Sequence, residues 1–236
     1  MNNSNKLIVA LDVSSLKEAE KIVKALKKLV GTFKIGKELF TSAGPEAVRM
    51  VRRHKAKVFL DLKFHDIPNT VGAACEAAVR LGVSMLNVHA SGGKQMLFQA
   101  VQAVHKAAAK EKIKPPLLLG VTVLTSLKDQ DLKETGVHQK VSEQVKRLAT
   151  LSKNCGLDGV VASGQEIHLI QKAVPKPFLV ITPGVRPVWA AHGDQKRIMT
   201  PKRAIEEGAD FIVIGRPITE NPDPEAAAKK ILNEMD

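Results

Sequence analysis

The stretch Asp61-Leu62-Lys63-Phe64-His65-Asp66 sets two carboxylates and one ammonium within six residues, at the close of an apolar run. In an extended strand, residues i and i+2 project to the same side, so Asp61 and Lys63 point together. A loop beyond them can return Asp66 to the same ammonium. Lys34, inside an earlier apolar run, adds a second cation. Lysines interleaved with carboxylates form a charge array of the kind that tunes proton affinities at catalytic centres. The plainer reading is a salt-bridged rim without chemistry. Charges that close apolar strands argue against it.

A second group of residues suits an anion. Thr182-Pro183-Gly184-Val185-Arg186 and Ile214-Gly215-Arg216 each follow an apolar run near the C-terminal end of the chain. Gly215 lets the backbone approach an anion and Arg216 can grip it bidentately, which points to a phosphate. Other motifs are dismissed. The run from Gly31 to Lys37 imitates a phosphate-binding P-loop, but Glu38 stands where Ser or Thr would bind Mg²⁺. No Gly-x-Gly-x-x-Gly occurs. The seven histidines show no metal-ligand spacing, so no zinc is predicted, although His65 and His89 can meet on one rim.

These side chains need elements to position them. Apolar, β-branched runs recur at 7–11, 32–36, 58–62, 84–89, 117–124, 159–162, 178–182 and 211–215. Most are apolar nearly throughout, as strands buried on both faces of a parallel sheet must be. Between them, helical spacing is predicted over 16–29, 45–54, 71–81, 94–110, 141–154, 166–173, 201–207 and 224–235. In the first of these, Leu16, Ala19, Ile22, Val23, Leu26 and Val30 share one face, lysines the other, and Ser14 or Ser15 supplies the cap. The polar stretch 126–141 reads as an extended surface segment.

Eight strands alternating with eight helices is the arithmetic of an α/β fold, a (β/α)8 TIM barrel, and no linker divides residues 1–236, so one domain is expected. Catalytic groups of that fold gather at the C-terminal ends of the strands. The polar residues sit there: Asp12, Lys34, Asp61 with Lys63, Asn87 with His89, Thr125 with Ser126, Pro183 through Arg186, and Gly215 with Arg216. The loops after strands seven and eight are the fold's usual phosphate site.

Composition narrows the partners. Lys and Arg number 36 against 24 Asp and Glu, a formal charge of +12. Only 3% of residues are aromatic and there is no Tyr, which argues against stacking platforms for nucleic acid. A substrate bearing both a phosphate and a carboxylate explains the charge better. Cys75 and Cys155 form no Cys-x-x-Cys pair, and no secretory signal or membrane-length apolar run is evident. A cytoplasmic protein that engages neither membrane nor nucleic acid is expected.

With those residues in hand, the chain resembles the orotidine 5′-phosphate decarboxylase family. The resemblance spans nearly the whole chain. It rests on Ala10-Leu-Asp12, Phe33-Lys34-Ile-Gly36, Asp61-Leu-Lys63-Phe-His-Asp66-Ile-Pro-Asn-Thr70, Asn87-Val-His-Ala-Ser-Gly-Gly93, Leu124-Thr-Ser126, Thr182-Pro-Gly-Val-Arg186, Asp194-Gln195 and Ile214-Gly-Arg216. The Asp-x-Lys-x-x-Asp followed by Ile-Pro-x-Thr is the most specific piece.

The resemblance implies decarboxylation of orotidine 5′-phosphate to uridine 5′-phosphate in pyrimidine biosynthesis, with neither metal nor organic cofactor. It implies a homodimer in which Asp66 and Thr70 reach the partner's site. Lys34, Asp61, Lys63 and Asp66 form the catalytic array, and Asp12 and Lys34 contact the ribose. Thr125 and Ser126 lie at the pyrimidine edge. Gln195, Gly215 and Arg216 hold the phosphate, with Arg186 on the same lid-like segment, and Pro183 also contacts the substrate. One alternative is a Mg²⁺-dependent sugar-phosphate decarboxylase or aldol-type synthase of the same superfamily. Those hold the metal with an acidic residue on strand two, where this chain has Lys34. A basic nucleic-acid-binding module is the alternative from another class.

Overall fold

In a computed structural model, which describes residues 3–190 and 199–236, the apolar runs become parallel strands. They are β1 (Leu7–Ala10), β2 (Thr32–Ile35), β3 (Lys57–Phe64), β4 (Met85–His89), β5 (Leu117–Val121), β6 (Gly159–Val161), β7 (Leu179–Pro183) and β8 (Phe211–Ile214). Each pairs with the next in sequence order and β8 pairs back onto β1, closing the barrel. At least one helix lies between each pair of consecutive strands, as the expected (β/α)8 fold requires.

Alternation within each strand divides the apolar residues between two cores. Ile8, Phe59, Met85, Leu119, Ile181 and Val213 fill the barrel interior. Their neighbours, among them Val9, Phe33, Ile35, Val58 and Leu60, pack outward against the helices. This partition decides where Lys34 points. Phe33 and Ile35 are fully buried in the outer layer, so the residue between them must face inward. Slipping β2 by one residue would trade both for a lysine, forfeiting about 1.5–3 kcal/mol for each apolar side chain. The register aligns Ala10 with Lys34 and Lys34 with Phe59, so the lysine stands level with the uppermost interior layer.

The helices follow the predicted pattern with local corrections. Ser15 caps helix Leu16–Leu26 by accepting from the Glu18 N–H at 3.2 Å. Helix Pro68–Arg80 starts three residues ahead of the predicted 71–81, with proline in its first turn, so Thr70 lies on a helix. The stretch 126–141, expected to be extended, contains helix Asp129–Glu134. Its signal is short: the Lys128 N–H donates to Asp131 at 2.6 Å and a single apolar residue, Leu132, is buried. Helices Lys37–Ala43 and Arg216–Thr219 also escape the periodicity, being too short to show an apolar stripe. Strand β3, expected over 58–62, runs on to Phe64 through an irregularity in its pairing with β4. Both cysteines are buried, and burial pushes the Cys75 thiol up to about 12. Among the described residues no helix is long and apolar enough to cross a membrane.

Candidate active site

Four polar side chains meet at the barrel mouth around one carboxylate. Asp61 Oδ1 lies 2.6 Å from Lys63 Nζ and accepts from Asn87 Nδ2 at 2.7 Å. Its other oxygen is 3.5 Å from Lys34 Nζ, and that ammonium also donates to Asp12 Oδ1 at 2.8 Å. The order Asp12–Lys34–Asp61–Lys63 alternates in sign from the loop after β1 through β2 to β3. Lys34 and Asp61 are buried, whereas Asp12 is half exposed. Burial alone would push the Asp61 carboxyl up. The charges of Lys34 and Lys63, with hydrogen bonds from Lys63 and Asn87, outweigh it and hold Asp61 below the ordinary carboxylate range. Asp61 is therefore held as the carboxylate, and each lysine beside it has an acidic partner.

Two local backbone features allow this packing. A Cβ at Gly36 would stand 2.7 Å from Asp12 Oδ1 and 2.9 Å from Lys34 Nζ, so any larger residue there would make that ion pair shift. At the close of β7, Gly184 has φ 74°, which turns the chain sharply toward Val185 and Arg186.

A cleft of about 530 Å³ opens beside the cluster, with Asp12, Lys34, Asp61 and Lys63 on one wall and Arg186, Gly215 and Arg216 on another. It joins a smaller cavity of about 250 Å³ that shares Lys34, Asp61 and Lys63. The smaller one has a different character, with Val121, Val161 and Val213 as apolar walls and Thr125 and Ser126 at one edge. One end is thus polar and cationic, and the other is apolar with hydroxyl donors. The charge cluster stands between them.

The cationic end is built for an anion. Arg186 is buried, and its Nε has no hydrogen-bond partner among the described residues. Burial first, then the neighbouring Arg216 charge, lowers its proton affinity, with Glu220 opposing in part. A bound phosphate would give that Arg186 nitrogen an acceptor. Trp189, also beside Arg186 and Arg216, is tied to the C-terminal helix Pro224–Glu234, its Nε1 donating to Glu234 at 2.7 Å.

The structure also separates residues that the sequence grouped. Asp66 does not fold back onto Lys63. It is exposed, it accepts from the Ile67 N–H at 2.6 Å at the entrance to helix Pro68–Arg80, and it makes no ion pair among the described residues. Thr70, on that helix, is exposed as well. Gln195 lies outside the described residues. His65 and His89 do meet, with ring centroids 5.5 Å apart. Burial first, then the charges of His65, Lys37 and Lys63, pushes His89 down to about 4, so its ring is neutral at pH 7. Among the described residues no cluster of three or more acidic, His or Cys side chains is placed to hold a metal. Asn87 was quoted among the motif residues without a role, yet it is fully buried in contact with Asp61. An amide within an apolar run was the available signal.

Comparison with known proteins agrees with this fold. The sequence profile of the "Orotidine 5'-phosphate decarboxylase / HUMPS family" matches residues 5–231. A protein of Syntrophotalea carbinolica named orotidine 5′-phosphate decarboxylase is 55% identical over 230 residues, covering 98% of this chain and 94% of that one. One of the same name from Moorella thermoacetica is 54% identical, covering 100% and 94%. The crystal structure of orotidine 5′-phosphate decarboxylase from Lactobacillus acidophilus superposes with a TM-score of 0.86 at 38% identity, covering 98% of this chain and 99% of that one. With profile, relatives and barrel in agreement, the chain belongs to the orotidine 5′-phosphate decarboxylase / HUMPS family.

Proposed function

We propose that this chain is a cytoplasmic enzyme of one barrel domain that converts orotidine 5′-phosphate to uridine 5′-phosphate and CO2 in pyrimidine biosynthesis. The observation that carries the reading is the ion-paired Asp12–Lys34–Asp61–Lys63 array between an apolar cavity and a pair of arginines. Its polarity matches the substrate. The phosphate lies against Arg186, Gly215 and Arg216, the ribose hydroxyls against Asp12 and Lys34, and the pyrimidine edge against Thr125 and Ser126, with Pro183 in the wall beside it.

In the reaction the C6–carboxylate bond breaks and its electron pair stays on C6. That carbanion has no adjacent electron sink, so the protein must supply positive charge and then a proton. Lys63 supplies both, donating a proton from Nζ to C6 and recovering it from solvent. Two unit charges about 4 Å apart, at an effective dielectric near 20, interact by about 4 kcal/mol. Enzymatic accelerations require about 8–23 kcal/mol, so one lysine is insufficient. The remainder comes from phosphate and ribose contacts expressed at the transition state and from exclusion of water around C6.

The reading is metal-free. Asp61 already faces the Lys34 and Lys63 ammonium groups and Asp12 Oδ1 faces Lys34, so a divalent cation at either carboxylate would meet a lysine charge. This observation disfavours the Mg²⁺-dependent sugar-phosphate chemistry of the superfamily. The reading also includes a homodimer, with Asp66 and Thr70 of each subunit completing the other's site. Its support is the exposure of both residues. Ile67 and Phe98, 66% and 54% exposed, add apolar surface on the segments that follow β3 and β4.

The test is turnover of orotidine 5′-phosphate, followed by ultraviolet absorbance in EDTA, with Lys63→Ala alongside. Expected is decarboxylation that persists in EDTA and disappears in the variant, which still binds uridine 5′-phosphate. Turnover retained by Lys63→Ala would remove Lys63 from its role. Turnover lost to EDTA would return the magnesium reading.

A further inference from the structure

We infer that Asn87 is a positioning residue for decarboxylation: its side-chain amide braces a bulge in β3 and thereby aims both Asp61 and Lys63. The inference rests on the reaction proposed above and assigns a part to a residue outside the charged array.

The pairing of β3 with β4 shows why a brace is needed. Leu60 pairs with Leu86 and Phe64 pairs with Val88. Between those two pairs, Asp61, Leu62 and Lys63 of β3 stand opposite Asn87 alone. Residues crowded into a bulge lose their ladder partners, and a backbone N–H left unpaired inside a barrel is costly. Lys63 also departs from strand geometry. Its φ of 55° lies in the left-handed region, which a residue with a Cβ adopts only when its surroundings impose it.

Asn87 answers both problems with one side chain. Its Oδ1 accepts the Lys63 backbone N–H at 2.8 Å, and its Nδ2 donates to Asp61 Oδ1 at 2.7 Å. The amide can sit only one way round, because the N–H can only donate and the ionised carboxylate can only accept. No other small side chain offers an acceptor and a donor in that fixed relation. Asp fails toward Asp61, Ala offers neither group, and Ser lacks the reach to meet both. Asn87 is wholly buried, and among the described residues its side chain hydrogen-bonds only Lys63 and Asp61, so both bonds serve the catalytic strand. Without the brace, the Lys63 backbone relaxes toward ordinary strand dihedrals, and the ammonium is carried away from the position where C6 must meet it. Misplacement of a reacting group by about 1 Å is enough to cost about 10²-fold in rate.

The experiment compares wild type, Asn87→Ala and Asn87→Asp in the full chain. It measures kcat, KM, uridine 5′-phosphate affinity and hydrogen exchange at the Lys63 amide. For Asn87→Ala, kcat is expected to fall about 10²-fold, while KM and product affinity stay within about threefold, because the phosphate and ribose contacts are untouched. The Lys63 amide loses its protection. Asn87→Asp keeps that amide bonded and protected but turns a carboxylate toward Asp61, so kcat falls by about tenfold or more. Should the alanine variant fail to fold, Asn87→Asp carries the test. A folded variant with kcat within about threefold of wild type overturns the inference, as does a loss confined to KM or an amide still protected in Asn87→Ala. A wild type inactive on orotidine 5′-phosphate refutes the reaction reading instead. Amide exchange then decides the brace by itself: protection lost in Asn87→Ala sustains it, and protection kept overturns it.

Discussion

Lys63 Nζ and Asp61 Oδ1 stand 2.6 Å apart, although Lys63 has left the strand conformation that its neighbour keeps. Asp61 serves Lys34 as well, at 3.5 Å, so one buried carboxylate is shared between two ammonium groups from adjacent strands. The arrangement gives both lysines an ion-pair partner beside an apolar cavity, where an unpaired cation would be expensive to desolvate. It also fixes the Lys63 ammonium, so that little reorganisation is left for the moment when charge develops on the substrate.

Arg186 and Arg216 line the cationic end of the cleft that also holds Lys63, and Arg216 is expected to affect the rate at that lysine. Arg216→Ala should lower kcat/KM for orotidine 5′-phosphate by about 10- to 100-fold, the worth of one charge-assisted hydrogen bond. Part of the loss should fall on kcat, because remote binding energy is expressed at the transition state. The check is steady-state kinetics on orotidine 5′-phosphate and on orotidine, which lacks the phosphate. A variant with unchanged kinetics on the phosphorylated substrate would remove Arg216 from the site.

Shared sites in a dimer make a separate forecast. Asp66→Ala and Lys63→Ala homodimers should each be nearly inactive. Mixing them under conditions of subunit exchange should assemble some sites in which both residues are wild type, restoring up to about a quarter of the wild-type activity under random pairing. The measurement is specific activity against mixing ratio, with exchange verified by tagged subunits. No recovery despite proven exchange would place Asp66 in its own subunit's site or in none.

Acid should weaken the fold in two windows. In the unfolded chain His89 takes up a proton near pH 6.5, whereas in the folded barrel it waits until about 4. Between those values the unfolded state binds more protons, so stability falls as pH falls through that window and is fully present above it. Asp61 works in the same direction at lower pH. Its folded carboxyl titrates below the ordinary value of 3.8, so its contribution persists until pH drops through that lower point. Urea unfolding across pH 3 to 8 should therefore show a flatter acid slope between about 6.5 and 4 in His89→Asn than in wild type. Parallel slopes would mean that His89 does not titrate differently on folding.

Much of this architecture was legible in the chain. The eight apolar runs identified the strands, since a strand buried on both faces must be apolar on both faces. The polar residues that interrupt or close those runs, Asp12, Lys34, Asp61, Lys63, Arg186 and Arg216, marked the mouth. The same periodicity reasoning fell short for Lys37–Ala43, Asp129–Glu134 and Arg216–Thr219, where the helix is too short for its stripe to rise above chance.

The sequence by itself determined the barrel, its strand order and the chemical types gathered at its mouth, because each depends on patterns that repeat within a few residues. The tertiary structure alone decided which of those charges meet. Alternation places Asp61 and Lys63 on one side but cannot foresee the bulge that turns Lys63 to a φ of 55°, nor that Asn87, from β4, fills it. It likewise could not tell that Asp66, three residues beyond Lys63, turns outward and leaves the array that Lys34 joins. Those outcomes depend on pairing between strands distant in sequence. There, burial of the apolar neighbours on either side sets the direction of each polar side chain.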